Sequence, residues 1–265
     1  MPKSFDPHDR VVVVTGAGSG IGRSLALRAA HEGARAVAVC DIDEAAARET
    51  AAILAAAGVR NHHAIVLDVA DEARLREAVA EVENRLGPID LWCSNAGVHR
   101  GVGIGTDDDW ERSLAVHVRA HVNVARHVVP RMVARGQGWL MVTASAAGLL
   151  SDVTSAPYTA SKHAAVALAE WLSVQYDEAG LTVACLCPQG VKTNMNTNRR
   201  DGSTGAGPVY LEADAVAADA FDALRRGDFL ILPHPEVASY ELRRARDRER
   251  WLVGMRRLAA TPTSA

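Results

Sequence analysis

Rings are scarce in this chain. Aromatic residues make up 5% of the 265 positions, so the core must be packed mainly from Ala, Val and Leu, which the 48% hydrophobic content can supply. No uninterrupted apolar run is long enough to span a bilayer. The opening MPKSFDPHDR has no apolar targeting segment either, so we expect no membrane contact and a cytoplasmic location. Basic charge is not in excess: the formal net charge of −3 leaves no electrostatic footprint for nucleic acid. Cysteine is limited to Cys40, Cys93, Cys185 and Cys187, in or beside strand-like runs and without CxxC spacing. That points to buried reduced thiols and away from a disulfide frame. The NHH at 61–63 reads as a strand entry, and we expect no metal site. With no repeat and no linker, the length suits one α/β domain over 1–265.

What is present is a strict alternation. RVVVVTG (10–16), ARAVAVCD (34–41), HHAIVLDV (62–69), IDLWCSNAG (89–97), WLMVTAS (139–145) and LTVACLCP (181–188) read as buried strands. Amphipathic stretches lie between them, with Asp43 and Asp71 as helix caps. The segment 106–136 predicts one long helix bent at Pro130, and 157–179 another with Pro157 in its first turn. Alternation of this kind predicts a parallel sheet with helices on both faces. A polar, glycine-rich stretch follows and reads as a substrate lid over 193–212. A helix at 211–226, a strand FLILP (229–233) that brings the sheet to seven and an Arg-rich helix at 236–258 complete the pattern, with 259–265 read as a disordered tail.

TGAGSGIG (15–22) follows the first strand and opens the first helix. Its glycines let backbone N–H groups approach a pyrophosphate, and the helix N-terminus adds partial positive charge. The spacing Gly16-xxx-Gly20-x-Gly22 is neither the G-x-G-x-x-G fingerprint nor a Walker A loop. Asp41 ends the second strand about twenty residues on, where a carboxylate accepts hydrogen bonds from both adenosine ribose hydroxyls and repels a 2′-phosphate. Neither Ala17 nor Ile42 offers a base to hold that phosphate, so the sequence favours NAD over NADP.

With those motifs in place, the chain resembles the short-chain dehydrogenase/reductase family from residue 8 to about 194. The resemblance implies a single doubly wound Rossmann-type domain. It implies cofactor contacts from Gly16, Ser19, Gly20, Ile21 and Gly22 in the turn, and from Asp41 and Ile42 after strand two. LDV (67–69) looks like the segment that meets adenine through Asp68 and Val69. SNAG (94–97) is similar to the family's NNAG, with Asn95, Ala96 and Gly97 beside the cofactor. PQGVKT (188–193) matches the stretch whose Pro188, Gly190, Val191 and Thr193 meet the nicotinamide half. Ser145 lies thirteen residues before Tyr158, as the family's catalytic serine does, and YTASK is its YxxxK.

The chemistry of these side chains agrees. Tyr158 and Lys162, at i and i+4, share a helix face, so the ammonium can sit beside the phenol. A free phenol loses its proton near pH ~10, and an adjacent cation favours the phenolate. Tyr158 then exchanges the alcohol proton, Ser145 donates to the reacting oxygen, and Lys162 also binds the nicotinamide ribose as in the family.

Two departures stand out. Where the family carries an Asn on the long helix, WERSLAVHV (110–118) puts His117, and Asn123 falls on another face. Either His117 serves the family's water relay to the lysine and passes protons itself, or it fills space, or its protonation opposes charge on Lys162. The resemblance implies a homodimer, through the helices at 107–135 and 157–179, or a homotetramer, and the C-terminus lacks the VDGG-like segment that builds the tetramer in many members. Substrate walls are expected from Val98, His99, Ala147, Leu149 and Met195, suiting an uncharged alcohol or ketone. The competing readings are a cofactor-binding sensor that has lost catalysis and a methyltransferase.

Overall fold

The computed structural model describes residues 4–193, 195 and 210–260. Its strands are β1 (Val11–Thr15), β2 (Ala36–Asp41), β3 (His62–Val66), β4 (Leu91–Ser94), β5 (Gly138–Thr143), β6 (Leu181–Leu186), β7 (Val191–Lys192), β8 (Leu211–Glu212) and β9 (Leu230–Ile231). Seven of them form one parallel sheet in the order β3-β2-β1-β4-β5-β6-β9. The helices are α1 (Gly20–His31), α2 (Glu44–Ala56), α3 (Glu72–Leu86), α4 (Asp107–Leu114), α5 (Ala120–His127), α6 (Val129–Ala134), α7 (Ala156–Tyr176), α8 (Ala213–Arg226), α9 (Glu236–Arg246) and α10 (Arg248–Ala260).

The valine run of β1 shows why the sheet is covered twice. Val11 and Val13 enter the core under α3, α5 and α7, while Val12 and Val14 enter the core under α1, α2 and α8. Successive strand side chains point to opposite faces, so four apolar residues in a row need cover on both. At about 1.5–3 kcal/mol for each fully buried large apolar side chain, neither face could be left open. The strand order reverses between β1 and β4, and a crevice opens there at the carboxyl ends.

The long helix expected over 106–136 is interrupted twice. Residues Ala115–Arg119 form a π-helical turn, and the chain then breaks at Val128 (φ −103°), before Pro130. Pro130 lacks an N–H and its ring opposes the carbonyl four residues back, so the helix ends ahead of it and Pro130 lies in the first turn of α6. The Arg-rich helix is likewise two helices. Asp247 leaves helical geometry (φ −147°) and its carboxylate accepts the Arg250 N–H at 2.9 Å, capping α10. Helix α10 takes in residues 259–260, and the rest of the expected tail lies outside the described residues. Most of the expected lid also lies outside them; its two ends pair as β7 and β8. Among the described residues, no helix is long and apolar enough to cross a membrane, and no group of three or more His, Cys, Asp or Glu could hold a metal ion.

Candidate active site

The crevice between β1 and β4 is floored by the glycine turn. Gly16 (φ +65°) and Gly20 (φ +51°) turn through the left-handed region that glycine tolerates. A Cβ on Gly22 would stand 2.0 Å from the Gly16 carbonyl oxygen, so the turn closes only on a bare backbone. Asp43, Asp71, Thr106 and Ser155 cap α2, α3, α4 and α7 with their side chains. Ser19, which starts α1 in the crevice, caps nothing. Among the described residues no side chain accepts from the first-turn N–H groups of α1, the donor set that a pyrophosphate takes. Asn95 holds β1 and β4 together beside the turn: its N–H reaches Thr15 Oγ1 at 2.9 Å and its Nδ2 the Thr15 carbonyl at 3.0 Å.

Asp41 stands at the far end of the same cavity. Its Oδ2 accepts the Gly18 N–H at 2.8 Å and its Oδ1 the Asp43 N–H at 3.0 Å, which orients both oxygens and leaves each a second lone pair. Arg23 reaches this loop too, but its guanidinium is committed to Gly18 O, Thr50 Oγ1 and Glu49. Asp68 also lines the cavity, its Oδ2 paired with Arg112 at 3.0 Å. These residues fit a nicotinamide dinucleotide: acceptors for a ribose diol at one end, backbone donors for phosphates in the middle.

At the other end the cavity meets Ser145, Tyr158 and Lys162. The C-terminal end of β5 supplies Ser145, whose Oγ accepts the Ala147 N–H at 3.1 Å. Ser155 caps α7, and its Oγ accepts the Tyr158 N–H at 3.2 Å, so the tyrosine sits in the first turn. One turn on, Lys162 Nζ donates to the Thr143 carbonyl at 3.0 Å and lies 5.8 Å from the Tyr158 ring centroid. Burial lowers the Lys162 pKa to about 8. Behind them, His234 braces the loop after β6: its Nδ1 accepts the Gln189 N–H at 3.2 Å and its Nε2–H donates to the Gly190 carbonyl at 3.1 Å.

Residues 10–204 match the family described as short chain dehydrogenase. This chain belongs to the short-chain dehydrogenase/reductase family. The 1-deoxy-11-beta-hydroxypentalenate dehydrogenase of Streptomyces avermitilis is 36% identical over 230 residues, covering 85% of this chain and 84% of its own. A short chain dehydrogenase/reductase from Burkholderia phymatum, solved in complex with NAD, superposes with a TM-score of 0.84 at 29% identity, over 98% of this chain and 100% of that one. A gluconate 5-dehydrogenase from Burkholderia cenocepacia, solved with NADP and tartrate, gives 0.76 at 27% identity, over 88% and 96%. The family is one of oxidoreductases that use a nicotinamide cofactor, and both cofactors occur among these neighbours.

Where the family pattern has an Asn, the His117 imidazole is buried with both ring nitrogens hydrogen-bonded. Its Nε2 accepts the Val98 N–H at 3.1 Å, so the ring proton is on Nδ1, which donates to Ser161 Oγ at 2.8 Å. Ser161 passes its own hydrogen to the Tyr158 carbonyl at 3.1 Å. Burial first, and then the charge of Lys162, hold the His117 pKa well below its ordinary value. A neutral ring places no charge beside Lys162, and with both nitrogens committed we propose that the imidazole does not itself relay a proton. We expect His117→Asn to leave the shape of the pH–rate profile unchanged; a displaced limb would show that the ring titrates during turnover.

The expected substrate walls divide between two places. Val98 and Met195 line the cavity, but Ala147 and Leu149 do not. Residues Ala146–Gly148 wind a 3₁₀ turn that packs on α7, where a Cβ on Gly148 would meet the Lys162 carbonyl at 2.5 Å. Ala147 and Leu149 are both buried, and Leu149 joins the core under α7. His99 lies behind the wall against the Tyr158 ring, and Gly190 presents its carbonyl to His234 instead of the cavity. Sequence reasoning missed Arg112 and His234. Arg112 sits six residues into the helix that Thr106 caps, a spacing with no local mark of its pairing to Asp68.

Proposed function

We propose that this chain is an NAD-dependent oxidoreductase that interconverts a secondary alcohol and its ketone, with Tyr158 as the acid–base. The observation that carries the reading is the convergence of Ser145, Tyr158 and Lys162 at one end of a cavity whose other end is Asp41. A bound nicotinamide would supply the hydride acceptor or donor. In the oxidative direction Tyr158 Oη receives the carbinol proton, and in the reverse direction it returns that proton to the ketone oxygen. The Lys162 ammonium favours the phenolate and binds the nicotinamide ribose. Ser145 Oγ turns from its backbone partners to hydrogen-bond the reacting oxygen. Asp41 holds the adenosine ribose hydroxyls, and Asp68, held by Arg112, meets the adenine.

NAD is favoured because Asp41 leaves no room for a second anion and Arg23 is already engaged. Val98 and Met195 make the wall near the reacting carbon apolar, consistent with an uncharged substrate. The sensor reading rested on His117, and a neutral, fully hydrogen-bonded imidazole gives it no support. A homodimer or homotetramer through α7 belongs to the proposal, supported by the exposed Trp171 and Val174 on that helix.

The test is protection from thermal unfolding followed by turnover. NAD⁺ is expected to raise the unfolding temperature where NADP⁺ and S-adenosylmethionine do not, and NADH should form across a panel of secondary alcohols. Asp41→Ala should narrow the NAD-over-NADP preference by about 10-fold or more. Equal protection by both dinucleotides in the parent would refute the cofactor assignment.

A further inference from the structure

The Asp152 carboxylate is wholly shielded from solvent, and no step of the proposed reaction uses it. Burying a carboxylate costs several kcal/mol unless hydrogen bonds replace its water. Those bonds are present. Oδ1 accepts the Thr154 N–H at 2.8 Å and the Thr154 hydroxyl at 2.6 Å, and Oδ2 faces His99 Nε2 at 3.2 Å. The backbone of Asp152 is locked too: its N–H donates to Thr159 Oγ1 at 2.8 Å, and its carbonyl accepts that hydroxyl at 3.0 Å. Thr159 directly follows Tyr158.

His99 carries this anchorage to the reacting phenol. An ionised carboxylate only accepts, so the ring nitrogen facing it bears the hydrogen, and the plane of the imidazole is set. That ring lies 4.7 Å from the Tyr158 ring, inclined at 48°. His117 meets the same phenol edge-on at 5.6 Å and 86°. Tyr158 is therefore flanked by two imidazoles, each pinned by a partner of its own. The backbone repeats the arrangement. The Ser155 hydroxyl donates to the Arg100 carbonyl at 2.8 Å, Gly103 N–H to Thr154 O at 2.8 Å, and Ala156 N–H to Gly103 O at 2.9 Å. The loop bearing His99, the loop bearing Asp152 and the start of α7 form one stitched unit.

We infer that His99, aimed by the buried Asp152, is a positioning residue that packs against the Tyr158 ring, stops the side chain swinging about its Cα–Cβ bond and so keeps its hydroxyl directed at the substrate oxygen. The inference rests on Tyr158 being the acid–base of the proposed reaction. Misplacement of a reacting group by about 1 Å can lower a rate up to about 10²-fold, so a phenol free to swing about Cα–Cβ would be slow, and the looser packing that permits the swing also speeds the flipping of its ring.

The test uses the full chain and two variants. His99→Ala is expected to lower kcat about 10-fold while the KM for NAD⁺ stays near the parent's; the Tm should fall, because Asp152 Oδ2 loses its His99 partner. His99→Phe, which restores a ring against the phenol, should recover most of that loss. A second readout needs no turnover: NMR of the chain with ring-labelled tyrosine, the Tyr158 signal being assigned by its loss in Tyr158→Phe. The Tyr158 ring should flip slowly in the parent and at least about 10-fold faster in His99→Ala. An unchanged flip rate overturns the inference, as does a parallel fall of kcat and NAD⁺ affinity. A parent that oxidises no alcohol, but whose Tyr158 flip rate still responds to His99→Ala, would sink the hydride-transfer reading and leave the positioning contact standing.

Discussion

Tyr158→Phe is expected to lower kcat for alcohol oxidation by about 10²–10⁴-fold, the range that a positioned acid–base contributes. NAD⁺ affinity should change little. In the proposed reaction the phenol hydroxyl exchanges the substrate proton, whereas the dinucleotide would be held by the glycine turn, Asp41 and the loop after β6. The phenylalanine ring keeps its contacts with His99 and His117, so the fold should stand. Measuring kcat alongside NAD⁺ binding by thermal shift separates the two effects. A variant that retains more than about a tenth of parental kcat would show that another group handles the proton.

Lys162→Met should move activity and stability in opposite directions. The lysine is buried at 3% exposure, and its pKa falls from 10.5 to about 8 mainly through loss of water. A shift of that size corresponds to about 3 kcal/mol of native-state cost at neutral pH. The sign follows from proton counting. Below pH ~8 both native and unfolded chains hold the proton, and the cost is present in full. Between pH ~8 and ~10.5 the unfolded chain holds a proton that the native one has released, so the lysine's cost is relieved as pH rises. Methionine removes the charge while keeping the length of the stem. The Thr143 carbonyl loses its donor, which offsets part of the gain. We therefore expect Lys162→Met to unfold at a higher temperature than the parent at neutral pH, by about 1–3 kcal/mol of stability, with the difference shrinking toward pH ~10.5. Turnover should fall by about 10²-fold or more. A variant less stable than the parent at neutral pH would mean that the buried charge is fully compensated.

These expectations lean on features that differ in how openly the sequence displays them. The valines of β1, the glycine turn and the Tyr158–Lys162 pair are local patterns, set by periods of two residues or about four, and they are readable without knowing the fold. The order Ser145, then Tyr158, then Lys162 is equally local. The break at Val128 was displaced from Pro130 because a proline acts on the turn before it, and the π turn at Ala115–Arg119 has no compositional mark. The state of His117 was hidden for a different reason. Its character depends on the Val98 N–H, nineteen residues earlier, and on the Ser161 hydroxyl, forty-four residues later. His234 and Arg112 act over similar distances, so only the packed fold brings them to the loops they hold. Ala147 and Leu149 lie in and just after a 3₁₀ turn, which departs from the alternation that a continued strand would give.

The central claim is that the buried charge of Lys162 makes Tyr158 acidic enough to exchange a proton with an alcohol. It is tested most directly by the pH dependence of kcat/KM for alcohol oxidation at saturating NAD⁺, in the parent and in Lys162→Met. The account predicts an acid limb with its midpoint well below the free-phenol value of ~10 in the parent, moving up to about 10 in the variant, where residual turnover survives only at high pH. The same midpoint in both proteins would contradict it.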